Sequence, residues 1–323
     1  MSRILVTGAR GFVGAGLLSV LAEQGDSVIA VSRQAPPERL APLASWHRAD
    51  LDRLEPLPAA AWRGAEAVVH LAGIAHSDLP DTPENRQRLT RANVELPVAL
   101  ARQAAAEGVG RFLFVSSATV HGTASRGAPF TEESPPAPQT RYASSKATAE
   151  TSLRALAARE GLALTVLRPP LVYGPGVKGN LARLMGWAAA GRPLPSAVRS
   201  NRRDLIGLTN LCRFIAAALA RPEAAGETFL ISDGEPISTG TLYGELCAAM
   251  GRQARFLTLP PGALALLLGV TGRTAVLERL CGDFRIDNAK AVRLLGQQAT
   301  TPREVELGRM VARWRAEQGT LSS

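Results

Sequence analysis

The chain has 323 residues, 46% of them hydrophobic, enough to bury a large core close to the length at which one core divides into two, and this excludes disorder. Its net charge of +9 is carried almost wholly by arginine, since only Lys146, Lys178 and Lys290 are lysines, and such a surplus suits anionic ligands. The arginines are dispersed, without a compact basic block or an aromatic-rich binding surface, so nucleic acid is not an expected partner.

In chain order, the N-terminus runs directly into the apolar run Ile4 to Thr7, with no room for a charged leader and an apolar signal segment. Further runs at Ser27 to Val31, Ala67 to Ala72, Phe112 to Val115 and Leu162 to Leu167 lack the alternation of half-exposed strands. They predict parallel strands covered on both faces. Helical patterns lie between them at Gly14 to Gln24, Arg86 to Glu107 and Tyr142 to Glu160, and Gly25, Gly108 and Gly161 stand where left-handed caps fit. After Arg168 the prolines Pro169, Pro170, Pro175, Pro193 and Pro195 open a second region. A helix from about Leu211 to Ala220 and a strand at Glu227 to Ser232 then return the chain to the first sheet.

The expected fold is α/β, a Rossmann-type doubly wound parallel sheet with a smaller C-terminal α/β substrate domain. The first domain takes residues 1–168 and about 204–234, the second about 169–203 and 235–323. The apolar stretch Ala263 to Val270 falls far short of the ~20 residues of a membrane span, and a cytoplasmic location away from membranes is expected. Cys212, Cys247 and Cys281 are odd in number and far apart, which argues against a disulfide framework. Neither they nor His47, His70, His76 and His121 have metal-ligand spacing, so no metal is expected.

Thr7-Gly8-Ala9-Arg10-Gly11-Phe12-Val13-Gly14 follows a strand and opens a helix. Gly8, Gly11 and Gly14 permit a tight turn and close backbone approach, so that a pyrophosphate can rest on the helix amides beside Arg10, Phe12 and Val13. At the end of the second strand stand Ser32 and Arg33, where a carboxylate would bind a ribose diol and a cation an extra phosphate. NADP(H) is preferred on that ground, with NAD(H) the alternative. Asp50 and Leu51, after the third strand, are placed to meet the adenine.

Tyr142-Ala143-Ser144-Ser145-Lys146 sets a phenol and an ammonium on one helix face. A tyrosine ionising near pH 10 is a poor base at neutrality, and a nearby cation favours its phenolate. Ser117 follows the strand Phe112 to Val115, and ligands of such sheets gather beyond the carboxyl ends of the strands. Its hydroxyl is expected to orient a substrate oxygen, not to attack. His70 reads as a packed residue, and Asn93 as a ligand of nearby backbone.

These segments, together with His70-Leu71-Ala72-Gly73, Asn93 and Leu167-Arg168-Pro169-Pro170-Leu171-Val172-Tyr173-Gly174-Pro175, resemble the extended short-chain dehydrogenase/reductases, in particular the UDP-glucose 4-epimerase-like branch. The resemblance implies that Tyr142 is the acid–base residue, that Lys146 holds the nicotinamide ribose and lowers the tyrosine pKa, and that Ser117 binds the substrate oxygen. It also implies cofactor contacts from Leu71, Ala72, Gly73, Asn93 and Pro169, substrate contacts from His76, Thr119 and Arg203, and a homodimer. Arg202 and Arg203, adjacent cations, fit a diphosphate. Lys178 and Asn180 resemble a substrate loop of bacterial reductases that act on UDP-linked 4-keto-6-deoxy-N-acetylhexosamines. Ser32-Arg33 and Leu171 depart from the epimerases, which carry an acidic residue and an asparagine there. The expected activity is therefore NADPH-dependent reduction of such a 4-keto group in surface-polysaccharide precursor synthesis. Alternatives are a UDP-sugar 4-epimerase with retained NAD and a non-catalytic cofactor-sensing regulator or assembly factor.

Overall fold

A computed structural model describes residues 2–75, 80–258 and 281–320. The strands in chain order are β1 (Arg3–Thr7), β2 (Ser27–Ser32), β3 (Ser45–Arg48), β4 (Ala67–His70), β5 (Arg111–Val115), β6 (Ala163–Arg168), β7 (Leu171–Tyr173), β8 (Leu194–Pro195), β9 (Leu205–Gly207), β10 (Thr228–Leu230) and β11 (Phe256–Leu257). The helices that matter for the site are α1 (Phe12–Glu23), α2 (Ala59–Trp62), α3 (Pro83–Thr90), α4 (Leu96–Ala106), α5 (Arg141–Glu160), α6 (Asn180–Ala189), α7 (Leu208–Ala220) and α8 (Thr239–Ala249).

Seven strands form one sheet in the order β10-β6-β5-β4-β1-β2-β3. Every pairing in it is parallel. Side chains alternate between the faces, so Ile4 and Val6 join one core with α1 and α7 while Leu5 joins another with α4 and α5. That double cover explains why the central strands are apolar throughout, each fully buried Leu, Ile or Val contributing about 1.5–3 kcal/mol. The order reverses between β1 and β4, and the carboxyl ends of these two strands open the crevice where such sheets bind ligands.

A further core of Tyr173, Leu181, Met185, Leu194, Val198, Leu205, Leu242, Tyr243 and Met310 packs β7, β9, α6, α8 and the helix Arg303–Thr320 together. It is tied to the sheet by the Tyr173 hydroxyl, which donates to Asp233 Oδ2 at 2.7 Å, and by Asn210 Nδ2, which donates to Asp233 Oδ1 at 2.8 Å. Burial pushes the Tyr173 phenol and the Asp233 carboxyl upward. Among the described residues no helix is long and apolar enough to cross a membrane, and Ala263 to Val270 lies outside them. Cys212, Cys247 and Cys281 are free thiols.

Besides β10, which is Thr228–Leu230 and not Glu227 to Ser232, two elements near the crevice differ from the sequence expectation. The single helix expected at Arg86 to Glu107 is α3, a π segment at Arg91–Glu95, and α4. Pro97 has no amide to give the carbonyl four residues back, and the turn widens so that the Leu96 amide bonds Arg91 O. The fourth strand ends at His70, two residues short of Ala72, because the chain turns there into the crevice.

Candidate active site

The glycine loop is built by close approach. Gly8 has φ +70°, and a Cβ there would lie 2.7 Å from Ala72 N and from Leu71 C, at the end of β4. A Cβ on Gly14 would lie 2.2 Å from Gly8 O, so the loop and the start of α1 interlock. The Gly11 amide closes the turn on Gly8 O at 2.8 Å. No side chain among the described residues caps the first amides of α1, and its first turn holds no acidic residue. Those amides and the helix dipole suit a pyrophosphate. Phe12 and Val13 turn their side chains into the core and offer their backbones to the loop.

The rim beyond β2 is exposed. Arg33 Nη1 lies 2.7 Å from Asp52 Oδ2 and 3.9 Å from Asp50 Oδ1, with 62% of the arginine side chain in solvent. Arg10 Nη1 donates to Gln34 Oε1 at 2.5 Å, and the Gln34 amide donates to Ser32 Oγ at 3.2 Å. Asp50 caps the short turn Leu51–Arg53, and Leu51 is half-buried. The cation expected to meet a phosphate is thus already engaged by carboxylates.

Ser117, Tyr142 and Lys146 come together where β5 ends against α5. Ser117 Oγ lies 2.8 Å from Thr119 Oγ1 and accepts the Thr119 amide at 3.2 Å, which fixes the turn Ala118–His121. The same serine is near enough to the Tyr142 hydroxyl to favour its phenolate. Thr140 caps α5 by accepting the Ala143 amide at 3.1 Å, so the tyrosine stands in a fixed first turn. Lys146 is buried, donates from Nζ to Val115 O at 2.9 Å, and lies 4.5 Å from the Phe114 ring centre. Burial pushes Lys146 down to about 8. It pushes Tyr142 up to about 12, with Ser117 acting the other way. Without a bound dinucleotide, desolvation outweighs the help that Ser117 gives the phenolate. The phenol is held protonated, as a proton donor requires.

Asn93 sits in the π segment and secures both backbone groups of Ile74, accepting its amide at 2.8 Å and donating to its carbonyl at 3.0 Å. It also donates to Ser145 Oγ at 3.0 Å, joining the crevice to α5. Gly73 leaves the space for this, since a Cβ there would lie 2.9 Å from Asn93 Oδ1. Leu71 and Ala72 line the same edge. His70 is buried between Phe112 and Phe114, its Nδ1 2.9 Å from Thr7 Oγ1, and burial lowers it to about 3, the behaviour of a packed neutral ring. Pro169 O accepts the Ala118 amide at 2.9 Å and holds the Ser117 turn against β6.

The substrate-side residues are more scattered. Arg203 is half-buried, donates to Gly282 O at 2.8 Å and lies over Phe284. Arg202 is exposed. Arg203 lies on extended backbone bridged to Ile237 and Phe284. Lys178 and Gly179 border an open groove of about 670 Å³ against Trp314 and Gln318, and Asn180 begins α6. His76 lies outside the described residues.

The contacts joining Glu150, Arg168 and His121 beside the site escaped the sequence reading. Arg168 donates from Nε to Glu150 Oε1 at 3.0 Å and from Nη2 to Oε2 at 2.5 Å, and its Nη1 lies 3.0 Å from His121 Nε2. The one available signal was the spacing, because Glu150 continues the four-residue step from Tyr142 to Lys146.

A phenol, an ammonium and a serine hydroxyl gathered at the crevice of a doubly wound sheet define a dinucleotide-dependent oxidoreductase of the extended short-chain dehydrogenase/reductase type. The chain belongs to the NAD dependent epimerase/dehydratase family, whose model matches residues 4–232. It is 34% identical over 298 residues to a UDP-glucose 4-epimerase of Vibrio cholerae, covering 91% of this chain and 89% of that protein. It is also 34% identical over 263 residues to a 2-alkyl-3-oxoalkanoate reductase of Stenotrophomonas maltophilia, covering 77% of this chain and 76% of that one. The UDP-glucuronic acid 4-epimerase of Bacillus cereus, in complex with UDP-glucuronic acid and NAD, shares its fold, with a TM-score of 0.78 at 20% identity over 98% of this chain and 99% of that one.

Proposed function

We propose that the protein moves hydride and proton at C4 of a UDP-linked sugar, as an NADPH-dependent reductase of the 4-keto group of a 6-deoxy-N-acetylhexosamine. The observation that carries this reading is the meeting of Ser117, Tyr142 and Lys146, with Tyr142 kept as a loaded phenol by burial. A nicotinamide held in the crevice would supply the hydride that the carbonyl carbon receives. Tyr142 gives its proton to the carbonyl oxygen, Ser117 donates a hydrogen bond to the same oxygen as charge gathers there, and the Lys146 ammonium stabilises the phenolate left behind. Amides at Gly11 to Gly14 hold the pyrophosphate, and Lys146 and Asn93 fix the floor of the crevice. Arg203, with Lys178, Asn180, Thr119 and His76, belongs to the sugar-nucleotide side of this reading. Ser32 and Arg33 in place of an acidic tip on β2 support NADP(H) over NAD(H), since neither repels a 2′-phosphate.

A second reading, a UDP-sugar 4-epimerase with retained NAD, is supported by the likeness to the Vibrio cholerae protein. One assay separates the two. A reductase given the UDP-4-keto-sugar consumes NADPH stoichiometrically, whereas an epimerase interconverts UDP-sugars with no net change in nicotinamide absorbance. Neither outcome with either substrate rejects both. The family resemblance further supports a cytoplasmic homodimer formed through α4 and α5, measurable by light scattering.

A further inference from the structure

Glu150, Arg168 and His121 are 2%, 5% and 3% exposed and take no part in the proton transfer itself. A buried ion pair is a poor source of stability, because desolvating both charges offsets most of their attraction. Its location gives it another use. Tyr142, Lys146 and Glu150 follow one another at four-residue steps along a single face of α5, one turn apart. Arg168 ends β6 and grips Glu150 with a two-pronged fork, while His121 ends the turn that Ser117 caps. One guanidinium therefore spans from the catalytic helix to the serine turn.

We propose that Glu150 is a positioning residue, whose carboxylate, fixed by Arg168 one helical turn beyond Lys146, keeps the Lys146 ammonium charged and in register with Tyr142. The proposal rests on the reading of Tyr142 and Lys146 as the acid–base pair.

The groups around the lysine leave this role to Glu150. From β4, His70 bears on Lys146 but is itself held neutral, well below its usual range, by burial. On α5, Tyr142 is held as a phenol by burial. His121, from the serine turn, is lowered by burial and by the adjacent Arg168. Arg168 from β6 and Arg154, whose Nη1 lies 3.1 Å from Glu150 Oε2, are the cations paired with Glu150. Burial alone raises the Glu150 carboxyl, but Arg168 and Arg154 hold it below the ordinary carboxylate range, so it stays ionised. Among the described residues it is the anion that bears on Lys146, and it opposes the burial that lowers the lysine to about 8.

The chain has three lysines, so protein labelled at lysine Cε gives three resonances, of which Lys178→Arg and Lys290→Arg identify two. In the full-length wild type the Lys146 signal is expected to titrate near 8. Glu150→Gln is expected to move that midpoint down by about one unit or more, and Glu150→Asp to restore most of the difference. Where Glu150→Gln leaves Arg168 unpaired and fails to fold, the double variant Glu150→Gln/Arg168→Gln keeps a neutral hydrogen-bonded pair, and a smaller downward shift is expected because a cation is removed with the anion. A folded variant with an unchanged midpoint and only a lower melting temperature overturns the proposal and leaves Glu150 a packing residue. If the midpoint moves while the wild type reduces no UDP-4-keto-sugar, the functional reading fails and the Glu150–Lys146 coupling stands.

Discussion

The two ends of the crevice are built on opposite terms. At the β5–α5 end, Lys146, Glu150 and Arg168 are buried and bonded to one another or to backbone, so each side chain has one place to be. At the β2 end, Arg10, Arg33, Gln34 and Asp52 bond across open solvent, with 62% of Arg33 and 56% of Asp52 exposed. Buried contacts of the first kind cost several kcal/mol to disturb, and exposed ion pairs of the second are worth ~1 kcal/mol or less. The chemistry is therefore fixed by the fold, while the choice of cofactor rests on contacts that one substitution can rearrange.

The sharpest way to break this contrast is Tyr142→Phe, which keeps the ring packing and removes the proton. Turnover is expected to fall by roughly 10³-fold with cofactor affinity retained, measured by steady-state rates and by cofactor titration. Gly14→Ala comes next. Its Cβ would meet Gly8 O at 2.2 Å, so a loss of about 3 kcal/mol in denaturant unfolding and a parallel loss of cofactor binding are expected.

The buried end should also reveal itself in acid. His70 is lowered in the fold to about 3 from its ordinary value near 6.5, so the unfolded chain takes up its proton first. Stability from this group is complete above about 6.5 and is lost as pH falls toward the folded value, by about 2 kcal/mol at roughly pH 5. The fall in melting temperature from neutral pH to about 5 should flatten in His70→Asn. The smallest effect belongs to the exposed rim. Asp52→Asn releases Arg33 and should tighten NADP(H) over NAD(H) by about fivefold or less, while Arg33→Asp should reverse the preference, both read from dissociation constants. A large loss of stability in either rim variant would contradict the comparison.

The five apolar runs and the three capping glycines were legible in the sequence because double burial removes polar residues from central strands and positive φ selects glycine. Gly25, Gly108 and Gly161 do have φ of +80°, +76° and +68°. The edge strand Ser45–Arg48 left no such run, since it pairs on one side and is half exposed. Ser117, Tyr142 and Lys146 were legible from spacing and from their place after strands. The Glu150–Arg168–His121 cluster was not, because its members are dispersed over 48 positions and nothing local says that a charge is buried. Nor could the sequence tell that Arg33 folds onto Asp52, nineteen residues away, or that Arg203 lies over Phe284 while Arg202 stays exposed.

The π segment at Arg91–Glu95 holds one residue more than the α turn it replaces, so the rods on either side of it are about 100° out of phase. Deleting a single residue there would turn one rod by about 100° against the other, setting the contacts of Asn93 with Ile74 and Ser145 against the burial of Leu96, Leu100 and Ala104. Such a shortened chain should melt at a clearly lower temperature and hold its cofactor more weakly, because the buried face of α4 and the aim of Asn93 cannot both be kept. The irregular turn is in this sense an inserted hinge pin: it spends one extra residue of chain to aim one amide.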